Sequence, residues 1–198
     1  MGAGILPTAI HNGKIYFLFG KENKYADTPG WSDIGGGTDN NETFLETATR
    51  EGSEELTGFL GMEKDIKRLL TAHGTYKIDF GEPSRRYRVH IFPMKYDPML
   101  PVYYNNNHRF LERKLSKHLI EHSKIFEKEE IRWIGAHELP KMRGQFRHYF
   151  RDVVDDIIAQ KGDISRFIKK TTRKKSTGKK TRKAGATRRG GKRTRSKR

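Results

Sequence analysis

The sequence predicts an α/β domain, a sheet covered by helices, with a separate basic tail behind it. Three observations carry that reading. β-prone and helical segments interleave along roughly the first 160 residues. A glycine run feeds directly into an acidic, amphipathic helix. A second apolar stripe at helical spacing closes the body.

The elements follow in order. Residues 5–10 are largely apolar, and Pro7 confines them to a sheet edge because proline donates no ladder hydrogen bond. Residues 14–19 are more plainly β-prone, and Asn12-Gly13 between the two segments signals a tight hairpin, since both turn residues tolerate positive φ. Residues 31–34 lead into Gly35-Gly36-Gly37, too flexible for a strand interior. Asp39 and Glu42 have the spacing of a capping box, so a helix is expected over 41–56, with Ala48, Gly52 and Leu56 on the face toward the sheet. Residues 71–80 and 86–96 alternate as strands. Residues 107–122 read as a helix with Phe110, Leu111, Leu115 and Leu119 on one side, and 131–134 as a short strand around Trp133. Phe146, Tyr149, Phe150, Val153, Val154, Ile157 and Ile158 then form the stripe of a closing helix.

Composition divides the chain. The formal charge is +17, yet 16 of the 41 Lys and Arg residues fall in 169–198, where there is no acid. The rest is a nearly neutral body, 25 basic side chains against 24 acidic. We therefore expect a domain over 1–162 and a tail over 163–198 too polar to offset its ordering entropy, hence disordered by itself. Lys169, Lys170, Arg173, Lys174, Lys175, Lys179, Lys180, Arg182 and Lys183 are candidates for RNA phosphate contacts, and a solubilising end or nuclear-import address is the plainer reading. The absence of cysteine excludes disulfides, thiolate catalysis and cysteine-bound zinc, and fits an intracellular compartment, cytoplasmic or nuclear. No apolar run is long enough for a membrane span, and no secretory signal is expected.

The chemistry concentrates in the first helix. Glu51, Glu54 and Glu55 are spaced i, i+3 and i+4, so their carboxylates share a face and repel unless a cation sits among them. A solvated acidic face would show the same spacing. The adjacent glycine run brings backbone carbonyls near the cluster, and a set of hard oxygen donors suits Mg²⁺ or Mn²⁺ over zinc.

The stretch G36-GTDNN-E42-TFLETAT-R50-E51-GS-E54-E55-LTG resembles the Nudix box. Chance agreement at its six fixed positions is on the order of one in ten million per start. Two departures stand out: Gly52 replaces the usual apolar residue, and the closing glycine, Gly58, comes one residue late. The resemblance implies an α/β/α sandwich with a mixed sheet and a pyrophosphohydrolase acting on acid anhydrides. It implies metal ligation by Glu51, Glu54 and Glu55 with the Gly36 carbonyl, orientation of Glu51 by Arg50, and a junction fixed by Glu42. Glu51 is one candidate base; Glu129 and Glu130 are others, with an ordinary surface pair as the alternative for those two.

Ile131-Arg132-Trp133-Ile134 followed by Glu138-Leu139-Pro140 is similar to the mRNA-decapping branch of the family, which points to the 5′ cap of RNA as substrate. Free dinucleoside polyphosphates or nucleotide sugars are the alternative substrates, and a non-catalytic RNA-binding protein of the same shape is the reading from another class. Tyr87, Tyr103, Tyr104 and Trp31 are candidates to stack on a base, and Arg85, Arg86 and Arg88 to meet phosphates, with core and strand-edge roles as the plain alternatives.

Overall fold

A computed structural model describes residues 1–23, 26–116, 118–119 and 127–184, with side chains through 172. Its strands are β1 (Gly2–His11), β2 (Lys14–Glu22), β3 (Trp31–Ser32), β4 (Ile34–Gly37), β5 (Tyr76–Phe80), β6 (Tyr87–Pro93) and β7 (Lys128–Gly135). Its helices are α1 (Phe44–Glu54), α2 (Glu63–His73), α3 (Met99–Lys114), α4 (Leu139–Met142), α5 (Arg151–Ala159) and α6 (Lys161–Ala184). The seven strands form one mixed sheet.

The hairpin forms as expected: His11 pairs with Lys14, and Asn12 and Gly13 take φ of 48° and 74°. Near this turn β1 pairs with β2 over Thr8–His11. Farther away the two strands change partners, β1 to β4 over Gly2–Ile5 and β2 to β3 at Gly20–Lys21. The segment carrying the three glycines is thus wedged into the opening between β1 and β2. This switch corrects the edge assignment of Pro7. β1 is central, with β6 running parallel along its other side. Pro7 sits where β4 pairing has ended and β2 pairing has not begun, so its missing N–H breaks no bond on that side.

Side chains of β1 and β2 alternate between two apolar layers. Leu6, Phe17 and Phe19 pack with Phe146, Phe150, Val153, Ile157, Ile164 and Ile168 of the C-terminal segments. Ala3, Ile5 and Leu18 pack with Ala48, Leu56, Ile66, Leu70 and Tyr104. The sheet is covered on both faces, an α/β/α sandwich.

Several expectations need correction. The first helix begins at Phe44, with Thr43 as its cap and Glu46 closing the box. Asn41 has φ 66° and cannot continue a right-handed helix. The Asp39–Glu42 spacing instead makes a turn, in which the Asp39 N–H donates to Glu42 at 3.1 Å. The strand expected from 71 starts at Tyr76, because α2, which buries Ile66 and Leu70, runs to His73. The strand expected over 86–96 is limited to β6.

The helix expected over 107–122 lies at Met99–Lys114, started by Pro98 with the Asp97 carboxylate accepting the Met99 N–H. It buries Tyr104 and His108; Phe110 and Leu119 are exposed, and most of 115–126 lies outside the described residues. The closing stripe is broken: Phe146 bridges to Trp31, a 3₁₀ turn spans His148–Phe150, and the α-helix starts at Arg151.

Apolar packing runs on past residue 162. Ile164 and Ile168 are wholly buried and Thr171 nearly so, because with Phe167 they recur at i, i+3, i+4 and i+7 along α6. The body therefore reaches at least Thr171, and the helix continues to Ala184; residues 185–198 lie outside the described part.

Candidate active site

Arg50 organises the start of the site. All five of its N–H groups are engaged: Nε and one terminal nitrogen grip Glu42 at 2.8 and 3.0 Å, and the Gly37 carbonyl accepts at 2.9 Å. The other terminal nitrogen donates to Glu51 at 2.8 Å and Glu54 at 3.2 Å. Glu42 also accepts from the Thr47 hydroxyl, so the loop, α1 and the end of β4 are fastened together by one ion cluster. The pairing with Arg50, opposed by burial, holds the Glu42 carboxyl down at about 2.

Glu51 lies against the glycine run. A Cβ on Gly36 would come within 2.7 Å of the Glu51 carboxylate, so only glycine lets that side chain settle there. Burial raises the Glu51 carboxyl, with Arg50 opposing. Gly52, the departure noted within the box, has a similar steric cause: a Cβ there would meet Ile5 Cδ1 at 2.6 Å. Gly58 ends the helical turn with φ +72°, and its N–H donates back to the Ser53 carbonyl at 2.8 Å.

Glu55 points inward and is almost wholly buried. One oxygen accepts the Gly35 N–H at 2.6 Å; the other is 3.1 Å from the Lys128 ammonium. Lys128 has no exposed surface, donates to Glu22 as well, and reaches the Ser32 hydroxyl at 3.3 Å. Its stem fills the space over Gly20, where a Cβ would approach Lys128 Cδ to 2.9 Å. Arg147 completes the network, donating to Glu22 at 2.5 Å and to Thr28.

Burial pushes the Glu55 carboxyl up to about 8 and Asp33, which accepts the Tyr87 hydroxyl, up to about 7, with Lys128 pulling against both. Burial works against the charge on Lys128 itself, but Glu55 and Glu22 outweigh it and raise its pKa.

The structure brings together Glu51, Glu55 and a residue the sequence reading missed, Glu127. One carboxylate oxygen from each lies within 4.8 Å of the others. Glu54 is not in this group; its half-exposed carboxylate faces Arg50. Glu127 arrives through a β-bulge. β7 pairs Glu130 with Lys21 but Lys128 with Glu22, leaving Glu129 as the extra residue. Glu129 turns to Lys21 at 2.6 Å, so it is a surface ion pair, and neither it nor Glu130 joins the cluster. No local motif announces Glu127, because its position depends on the pairing of strands more than 100 residues apart.

The aromatic and arginine candidates divide as well. Tyr104 is buried and donates to the Lys128 carbonyl at 2.8 Å, Trp31 is core, and Tyr103 is exposed on α3. Arg88 is paired bidentately with Asp79 at 2.6 Å, and Arg86 lies exposed. Arg85 and Tyr87, however, line a cleft of about 400 Å³ beside Gly35–Gly37, joined there by Arg147 and Tyr149. The Arg147 guanidinium lies over the Tyr149 ring, 4.9 Å from its centroid. Of the tail candidates, Lys169 and Lys170 are exposed on α6; Arg173, Lys174, Lys175, Lys179, Lys180, Arg182 and Lys183 follow on its backbone.

The donor set fits a hard divalent cation: three carboxylates converge, and glycines clear the space around them. Among the described residues no helix is long and apolar enough to cross a membrane.

No family model and no curated protein matches the chain. Among solved structures it is similar to an Ap4A hydrolase from C. elegans in a binary complex, at 19% identity over 49% of this chain and 67% of that one, TM-score 0.36. It is similar to a Nudix hydrolase from M. smegmatis at 14% identity over 80% and 86% of the two chains, TM-score 0.45. It is similar to the MutT protein of Methanosarcina mazei at 16% identity over 81% and 93%, TM-score 0.44.

Proposed function

We propose that this protein hydrolyses a pyrophosphate bond in a nucleoside diphosphate-linked substrate, with Mg²⁺ or Mn²⁺ as cofactor. The observation that carries this reading is the convergence of Glu51, Glu55 and Glu127 from a helix and a strand end onto one point beside the glycine run. The box resemblance in the sequence agrees with it.

In this reading Glu51, Glu55 and Glu127 hold the ion, with Glu54 and the Gly36 carbonyl as further donors. A bound divalent ion would supply charge neutralisation on the diphosphate and an acidified water. The water oxygen forms a bond to phosphorus, the bridging P–O bond breaks, and its electron pair leaves on the departing phosphate. The proton released goes to a carboxylate, for which Glu51 and Glu127 are the candidates. Arg50 and Lys128 keep Glu51 and Glu55 aimed before substrate arrives, which is where preorganised sites gain most. The cleft with Arg85, Arg147, Tyr87 and Tyr149 suits an anionic ligand with an aromatic ring. Within that class we favour the 5′ cap of RNA, on the strength of the basic helix α6 and the cationic residues beyond it.

The test is product analysis with Mg²⁺ on capped RNA, a dinucleoside polyphosphate and a nucleotide sugar. Capped RNA is expected to be cleaved fastest; preference for the free dinucleotide would move the substrate while keeping the chemistry. Glu127→Gln is expected to slow turnover about 10²-fold, and Glu129→Gln to leave it within about twofold. No turnover of any of the three by the wild-type chain, with magnesium or manganese, would reject the enzyme reading in favour of an RNA-binding protein.

A further inference from the structure

The far end of the sheet carries a surface of a different kind. β1 and β6 run parallel, and both carboxyl ends open onto a cleft of about 480 Å³ between the two helical layers. Its walls include Ile10, His73, Pro93, Lys95, Tyr96 and Lys169, and among the described residues no carboxylate lines it. Crevices beyond the carboxyl ends of strands are the usual binding places of α/β sheets.

Beside the cleft the Tyr96 ring stacks on His11, centroids 4.3 Å apart and planes 15° apart. Tyr16 and Trp133 pack on Tyr96 at 5.2 and 5.3 Å. His11, Lys95 and Lys169 are exposed, and the one acid next to Tyr96, Asp97, is engaged in capping α3. The exposed His11 ring thus lies over half-buried Tyr96, with Lys95 and Lys169 at the same cleft. From Lys169 the strongly cationic part of the chain continues directly. The glycine run pairs with the start of β1, eight residues away, or about 25 Å at the rise of a strand.

We propose that this cleft and ring stack form a binding site for single-stranded nucleic acid, separate from the carboxylate cluster. His11 and Tyr96 give a platform for unpaired bases, Lys95 and Lys169 meet the phosphates, and α6 leads the strand on toward the cationic segment. A duplex can meet the lysines but has no free bases for the rings, since its bases are already stacked, so it should bind more weakly. The inference does not depend on the hydrolase reading.

The test uses the full chain in EDTA, so that binding is read without hydrolysis. A 12-nucleotide 4-thiouridine RNA is crosslinked and the attachment sites are mapped by mass spectrometry. Attachment at His11, Tyr96 or Tyr16 is expected. In parallel, fluorescence anisotropy across a salt series compares wild type with the Lys95→Glu/Lys169→Glu double variant and with Tyr96→Leu. The double variant is expected to lower the salt slope by about 2, and Tyr96→Leu to weaken binding about tenfold or more. A matching DNA strand is expected to bind as well, a blunt duplex at least tenfold more weakly. Crosslinks confined to 173–198, an unchanged salt slope, or a duplex bound as tightly as the single strand would each overturn the proposal. Should the variants misfold, the wild-type crosslinks and the duplex comparison still decide it.

Discussion

The two ends of β1 are built on opposite principles. At its start, charges are buried and locked: Lys128 is fully enclosed between Glu55 and Glu22, and Arg50 has no unused N–H. At its end, His11, Lys95 and Lys169 stand in solvent, and His11 stacks on a half-buried Tyr96 at the margin of the core. Locked charges cost desolvation and are tolerated where geometry must be fixed before a ligand arrives. Open rings and lysines cost little and suit a ligand that varies in sequence.

The sharpest way to break this contrast is Glu51→Gln. Turnover with magnesium is expected to fall about 10³–10⁴-fold, while nucleic-acid binding at the far end stays unchanged by anisotropy. Equal loss of both would show that the two ends are not separate. Next in size, Lys128→Met leaves buried Glu55 without its cation and is expected to cost about 3–5 kcal/mol in urea unfolding. A cost below about 1 kcal/mol would mean that the lysine is not a fixed partner.

His90 lies between the ends, on β6, with Thr75 at 2.9 Å from one ring nitrogen. Burial, assisted by Arg88 and Lys77, lowers its pKa to about 4. A folded pKa below the unfolded 6.5 means that the unfolded chain takes up the proton first. The stability His90 contributes is therefore present above 6.5 and lost as pH falls toward 4, up to about 3 kcal/mol. His90→Gln should flatten that stretch of the unfolding curve; an unaltered slope would assign the pH effect elsewhere. The smallest effect is expected for Gly52→Ala, where the clash with Ile5 outweighs the gain in helix propensity, at about 1–2 kcal/mol net. Stabilisation, read by thermal unfolding, would show that Ile5 gives way.

What was legible in the sequence was local. The Asn12-Gly13 turn depends on neighbours within a few residues and forms as its spacing implies; of the three glutamates, Glu51 and Glu55 come together while Glu54 turns to Arg50, a division that spacing alone does not carry. α2 was hidden because only Ile66 and Leu70 of its residues are buried, among lysines and an arginine that look like loop. The start of α3 was displaced because Asp97-Pro98, its initiation signal, resembles a turn. Basic residues masked the Ile164–Ile168 stripe. Glu127 and Lys128 could not be read at all. Nothing near them in the chain says that one joins an acidic cluster and the other is buried; that depends on Glu22, Glu51 and Glu55 arriving from elsewhere.

The spare residue at Glu129 is slack in the last strand of the sheet. Partners across an antiparallel pair share a side, so Glu130 lies with Lys21 and Lys128 with Glu22, while Glu129 is taken up between them on the Lys21 side. Deleting Glu129 would therefore leave a regular ladder with Lys128 still opposite Glu22, and would cost the Lys21 ion pair alone. One codon can be lost there without moving the buried lysine or the carboxylate before it, a tolerance that a strand without a bulge does not have.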